Sequence, residues 1–247
     1  IKVFNSSGAY LRSFGGYGNA CYQWQYARQF TIYNDVVYIA DTYGKKVKSL
    51  TLTGQCKDIW FTGQYPHAIA ANSNYVFVGH PSNSISVLDH RLNQRTTQSI
   101  NSNYLSYAWG MSINPAGNKL AIADYNKNHV VEFSISGDWL TYTQKTSSTY
   151  SSGNGYFQRP TDTGYDSSGN IYVADLYAHR VQKFNSSLVY QAKVGSYSTS
   201  SGFRYPYGMY VDSNDKIYAT DFYNYAVRQY DTSLSETATY GGGAGTR

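Results

Sequence analysis

Apolar and polar positions along the chain follow the period-two rhythm of short, half-buried strands closed by turn residues. The clearest runs are Val37-Tyr-Ile-Ala-Asp41, Leu120-Ala-Ile-Ala-Asp124, Ile171-Tyr-Val-Ala-Asp175 and Ile217-Tyr-Ala-Thr-Asp221. Each closes on Asp, and a Val follows six residues later, at Val47, Val130, Val181 and Val227. A degenerate copy is Val76-Phe-Val-Gly79, with Ile85 six residues further on. A shorter strand is predicted before each run, as at Phe30-Thr-Ile, Met111-Ser-Ile and Met209-Tyr-Val. Turn signals such as Asn114-Pro-Ala-Gly-Asn118 and Asp166-Ser-Ser-Gly-Asn170 separate the two. An alternating third strand (Val181-Gln-Lys-Phe184, Val227-Arg-Gln-Tyr230) and a fourth (Leu188 to Val194) complete each unit. Four strands in a recurring unit of this length form a sheet that cannot bury both its faces alone, so stacking of successive sheets is the expected solution.

The stretch Ile171 to Phe184, with Gly153-Asn-Gly-Tyr-Phe-Gln-Arg-Pro160 before it, resembles the NHL repeat and the family's glycine–Phe–x–x–Pro linker. The resemblance is strongest in the two units after residue 157 and weakest in the second, and it speaks to fold more than to function. It implies an all-β fold, a six-bladed β-propeller of four-stranded blades. One blade is only half present, because Ile1-Lys-Val-Phe-Asn-Ser-Ser7 aligns with Val181 to Ser187 and supplies third and fourth strands alone. The expected organisation is a single domain over residues 1–247. It comprises a half blade and linker (1–24), blades at 25–63, 64–104, 105–150, 157–199 and 203–242, and a flexible Gly-rich tail at 241–247. The strands that complete the half blade are expected from chain outside this sequence or from another molecule by strand addition, which would lead to self-association.

Composition narrows the setting. Charged residues make up only 14% of the chain, Tyr alone contributes 28 positions, and the net charge of +5 comes with no long basic run. Nucleic acid is therefore not the expected partner, although RNA binding has precedent among NHL proteins and stays as an alternative. No segment has the roughly 18 consecutive apolar residues of a membrane span. Cys21 and Cys56 leave two readings open, a pair of free thiols or one disulfide between neighbouring blades, the second requiring an oxidising compartment. The sequons Asn5-Ser6-Ser7 and Asn185-Ser186-Ser187 fall at the same place in the repeat, where a glycan fits and where Asn-Ser-Ser is equally good turn chemistry. Together these features point to a secreted, extracellular protein.

Asp41, Asp124, Asp175 and Asp221 occur once per unit at one position, which is expected of a turn-stabilising residue rather than a catalytic one. The position that varies between units lies at the start of each innermost strand: Arg28, His67, Trp109, Thr161 and Tyr207. Two residues earlier come Tyr26, Tyr65, Tyr107, Arg159 and Tyr205; the next position is small in Ala68, Gly110 and Gly208 but polar in Gln29 and Asp162. A variable position framed by constant ones is where repeat proteins build a binding face, so Arg28, His67, Trp109, Thr161 and Tyr207, with Gln29 and Asp162, form the expected ligand face. Protein and glycan are the expected partners, and no cofactor, metal or catalytic residue is expected. Some six-bladed relatives, the lyases that act on peptidyl-hydroxyglycine, hold a metal with several His beside an Arg and a Tyr. The resemblance implies Arg28, His67 and Tyr207 as the nearest equivalents here, with one His where several are needed. His80, His129 and His179 are expected in loops after second strands.

Overall fold

The computed structural model describes residues 1–197 and 202–242. Residues 198 and 199 of the unit expected at 157–199, and residues 243–247 of the expected tail, lie outside the described residues. The chain divides into two compact units, Ile1–Ser99 and Ile100–Arg247.

The first unit opens with a two-stranded antiparallel sheet, β1 (Lys2–Phe4) and β2 (Tyr10–Ser13). Two four-stranded antiparallel sheets follow. One is β3 (Ala27–Tyr33), β4 (Val36–Asp41), β5 (Lys46–Thr51) and β6 (Cys56–Phe61); the other is β7 (Ala68–Ala71), β8 (Val76–Gly79), β9 (Ser84–Leu88) and β10 (Gln94–Ser99). The second unit holds three such sheets: β11 (Ala108–Ile113) to β14 (Trp139–Lys145), with β12 (Lys119–Asp124) and β13 (His129–Ser136) between; β15 (Pro160–Tyr165), β16 (Ile171–Asp175), β17 (Arg180–Phe184) and β18 (Tyr190–Val194); and β19 (Pro206–Val211), β20 (Ile217–Asp221), β21 (Ala226–Tyr230) and β22 (Glu236–Gly241). In every four-stranded sheet the strands pair in sequence order, so each is a meander built from hairpins. His129 is the first residue of β13 rather than a loop residue, because its backbone pairs with Asp124 across the ladder.

The alternation read from the sequence explains the stacking. Successive side chains of a strand point to opposite faces, and in the second strands both faces are covered. In β4, Val37 and Ile39 pack with Leu50 and with Phe14 and Trp24 of the preceding linker, whereas Tyr38 and Ala40 pack with Ile69, Val76 and Val78 of the next sheet. In β16, Ile171 and Val173 pack with Ala121, Val130 and Phe157, whereas Tyr172 and Ala174 pack with Phe203, Ile217 and Ala219. Each fully buried aliphatic or aromatic side chain of this kind stabilises the fold by about 1.5–3 kcal/mol. Hairpin turns recur with one chemistry. In the β1–β2 hairpin and between the third and fourth strands of three sheets, the side-chain oxygens of Asn5, Asp89, Asn185 and Asp231 accept backbone N–H bonds from the residues two and four further on. Asn and Asp thus serve the same turn, as expected of residues that mimic a backbone turn with their side chains.

Cys21, in the linker before β3, is bonded to Cys56 at the start of β6, with Cα atoms 5.6 Å apart. The reading as two free thiols is thereby overturned, and the bond ties the linker to the outer strand of the sheet that follows it. Among the described residues, no helix is long and apolar enough to cross a membrane.

Candidate functional site

The constant Asp and the variable residue are neighbours in each ladder. Asp41, Asp124, Asp175 and Asp221 pair with Ala27, Ala108, Pro160 and Pro206, the residues immediately before Arg28, Trp109, Thr161 and Tyr207. Each Asp accepts backbone N–H bonds from the incoming linker: from Gln25 and Tyr26, from Ser106, from Gln158, and from Arg204. A buried base then closes the arrangement. Lys48 reaches Asp41 at 2.9 Å, Arg180 reaches Asp175 at 2.8 Å and Arg228 reaches Asp221 at 2.9 Å. The same bases donate to linker carbonyls, Lys48 to Ala20 and Gln23, Arg180 to Ser152, Gly153 and Tyr156, and Arg228 to Gly202. In the β11–β14 sheet His129 takes this place, 3.8 Å from Asp124, with its Nε2 at 2.9 Å from the Tyr104 carbonyl oxygen. The Asp–base pair is thus a clasp that fixes the linker's entry into the innermost strand. The sheet with Gly79 has no such carboxylate; there His80 Nε2 lies 2.9 Å from Ser86 Oγ.

In the first unit, Arg28 lies on β3 and His67 directly precedes β7. Both belong to one electrostatic group with His80: burial pushes the His67 imidazole down to about 3, and the Arg28 and His80 charges add to that shift. Burial also holds His80 down to about 4. Both rings are therefore neutral at physiological pH. Gln29 turns towards the next sheet, where its Oε1 accepts the Ile69 N–H at 2.8 Å.

In the second unit the strand starts build an aromatic array. Trp109 stacks on Tyr125 with ring centroids 4.0 Å apart and planes 16° from parallel, and it meets Tyr107 and Tyr207 edge-on at 5.1 and 6.3 Å. The Arg159 guanidinium covers Tyr125 at 4.8 Å and donates to the Tyr125 carbonyl at 3.1 Å. Burial, reinforced by a hydrogen bond with Tyr177, pushes the Tyr125 phenol up to about 12 and keeps it protonated. Tyr177, Tyr205 and Tyr223 continue the array edge to face at 5.8 and 5.3 Å, and Tyr207 leans on Phe222 at 6.2 Å. Phe222, Tyr223 and Tyr177 are exposed by 58%, 47% and 43%, so the outer rings present faces to solvent. Arg159 and Tyr205, the same position in successive units, adopt left-handed backbone (φ 62° and 61°). Their N–H groups are taken by Asn128 Oδ1 and His179 Nδ1, which accounts for how the strained conformation is held.

Thr161 and Asp162 are buried within this unit. Thr161 Oγ1 donates to the carbonyls of Ala174 and Pro206, and Asp162 accepts the Met209 N–H at 3.0 Å, the counterpart of Gln29 on Ile69. A Cβ on Gly110 would sit 2.3 Å from the Thr161 carbonyl oxygen, which is why that position is glycine. Tyr125, Tyr177, Phe222 and Tyr223 had not been singled out from sequence. Their signal was the aromatic residue one or two positions after each Asp, repeated at Tyr43 in the first unit. Among the described residues, no group of three or more His, Cys, Asp or Glu side chains is arranged to hold a metal ion.

Repeated four-stranded antiparallel meanders whose inner strands are clasped by their linkers define a β-propeller. Three solved structures share the fold: a chain of a nidogen–laminin complex (17% identity, 84% of this chain and 76% of that one, TM-score 0.65), virginiamycin B lyase from Staphylococcus aureus in selenomethionine form (12%, 86% and 68%, 0.60), and its catalytically inactive H270A variant with quinupristin (12%, 98% and 73%, 0.65). At these identities the likeness shows the fold alone. Residues 157–184 match the NHL repeat family model. No curated protein matches it.

Proposed function

We propose that the chain is a non-enzymatic, extracellular propeller that serves as a binding or scaffold module, its protein or glycan partner docking on the aromatic array of the second unit. The observation that carries this reading is the continuous set of stacked and edge-on rings around Trp109, Tyr125 and Tyr207, interleaved with Arg159. Large rigid rings with polar tips give contact area at little entropic cost, and a guanidinium on a ring adds recognition of polar groups. The Cys21–Cys56 bond supports an oxidising compartment, and the nidogen–laminin neighbour is a propeller crystallised with a protein partner. Glycans on Asn5 and Asn185 belong to the same reading, since the turns engage the side-chain oxygens and leave Nδ2 as the linking atom. So does a sixth blade with β1 and β2 as its outer half, where β1 offers an edge for strand addition by a second copy. Screening the chain against a glycan array and a panel of extracellular-matrix proteins tests the reading. Saturable binding weakened by Trp109→Ala supports it, and binding indifferent to Trp109 contradicts it.

One observation favours a second reading, a lyase. Arg28, His67 and His80 come together in the first unit with neutral imidazoles, the state in which His binds a metal or accepts a proton. Measurable turnover of a cyclic depsipeptide or a peptidyl-hydroxyglycine, abolished by His67→Ala, would replace the non-enzymatic reading.

A further inference from the structure

The Tyr at the second position of the run before Asp marks a contact that differs between the units. In the second unit, the Tyr172 hydroxyl donates to Asp166 Oδ2 at 3.0 Å and to the Thr232 carbonyl at 3.3 Å, and Lys183 covers the ring at 5.5 Å while donating to the same carbonyl. The turn that supplies Asp166 holds five residues between the paired Tyr165 and Ile171. In the first unit the equivalent turn is Asn34-Asp35, two residues between the paired Tyr33 and Val36, both with positive φ (51° and 61°). So tight a hairpin cannot fold a side chain back over Tyr38. The Tyr38 hydroxyl instead meets His90 Nδ1 at 2.9 Å, and the Tyr33 ring stacks on His90 at 5.2 Å with planes 16° apart.

The shortened turn leaves a cavity of about 640 Å³ whose walls include Tyr33, Tyr38, Lys57, Asp58, His90 and Arg91. That size falls within the roughly 300–1,000 Å³ of small-ligand sites. Two features mark it as more than a packing defect. His90, one of the lining residues, keeps its Nε2 buried with no hydrogen-bond partner among the described residues. The lining also sets two cations, Lys57 and Arg91, against one carboxylate, Asp58, which Ser49 Oγ holds at 3.2 Å. Burial, with the Asp58 and Asp89 charges, pushes the Tyr38 phenol up to about 12, so it stays a hydrogen-bond donor.

We propose that this cleft is a binding site for a carboxylated monosaccharide unit, a hexuronate, either free or within a glycan. An aromatic wall suits the apolar face of a sugar ring, an Arg–Lys pair suits a carboxylate, and a fixed carboxylate suits neighbouring hydroxyls. Isothermal titration with sodium glucuronate, an oligoglucuronate and glucose tests it. Saturable binding of glucuronate assigns the site to the free sugar acid as well as the glycan, and binding of the oligomer alone assigns it to the glycan. Either result supports the proposal if Lys57→Ala with Arg91→Ala weakens binding at least about tenfold, equivalent to about 1.4 kcal/mol. Both side chains are exposed, so the variant is expected to melt with the parent, and a melting profile verifies that it is folded. Glucose binding as tightly as the acids, no saturable binding of either acid, or unchanged binding in the double variant overturns it. Trp109→Ala leaves this binding intact, so its outcome is separate from that of the aromatic array.

Discussion

Two sets of residues meet where the innermost strands β3, β11, β15 and β19 begin, one constant between blades and one variable. The constant set, Asp with its buried Lys, Arg or His, spends its hydrogen bonds on the linker backbone. The variable set runs from Arg28 and His67 in the first unit to Trp109 and Tyr207 in the second, and in the second unit it is surrounded by rings that reach solvent. The repeat therefore places the architectural residues and the proposed recognition residues at adjacent backbone positions. Changing the first set should cost stability, and changing the second should cost affinity.

The largest effect is expected from Arg180→Ala. It removes the cation from the fully buried Asp175 and the side-chain donor from the Ser152 and Gly153 carbonyls, while Gln182 still donates to the Tyr156 carbonyl; removing one partner of a buried pair costs about 3–5 kcal/mol. Chemical denaturation would show this as a lower midpoint, and an unchanged midpoint would break the assignment of the clasp to architecture. Next, Cys21→Ser with Cys56→Ser opens a loop spanning 35 residues and is expected to cost about 2–4 kcal/mol, read from the same curves.

Acidification probes the buried imidazoles of both sets, since burial holds the clasp's His129 down to about 4 as well. His67 and His80 are held neutral in the fold, down to about 3 and about 4, while unfolded imidazoles titrate near 6.5. Their contribution to stability is therefore fully present above about pH 6.5 and is lost as the pH falls towards 4, because the unfolded chain binds the protons first. A series of melts from pH 7 to 4 should show this fall, reduced in His67→Gln. The smallest stability change is expected for Tyr177→Ala, an exposed ring of the array, at about 0.5 kcal/mol or less, alongside a measurable loss of partner affinity.

Much of this is legible in the sequence. The fixed spacing from Asp to Val places second and third strands wherever it occurs, because the period-two pattern leaves one register that buries both faces, as Tyr38 and Ile39 do. The bases of the clasp were not legible, since Lys48 and Arg228 stand seven residues after their Asp while Arg180 and His129 stand five after, and only the fold brings both spacings to one point. Gln29 and Asp162 share a position with glycine and alanine, and a linear pattern does not say that their side chains reach the N–H of the neighbouring inner strand. The aromatic residue after each Asp was readable as a repeat; its meaning came from the stacking of Tyr125 on Trp109.

The central claim is that the ring array of the second unit is the recognition surface. The most direct measurement is the affinity of the chain for a glycan or matrix protein found on the arrays, compared among the parent, Trp109→Ala and Trp139→Ala. Trp139 is 55% exposed on β14 and takes no part in the array, so it serves as the matched control. The account predicts a loss of at least about tenfold for Trp109→Ala and parent-like affinity for Trp139→Ala. Equal affinity in all three proteins, or equal loss in both variants, would contradict it.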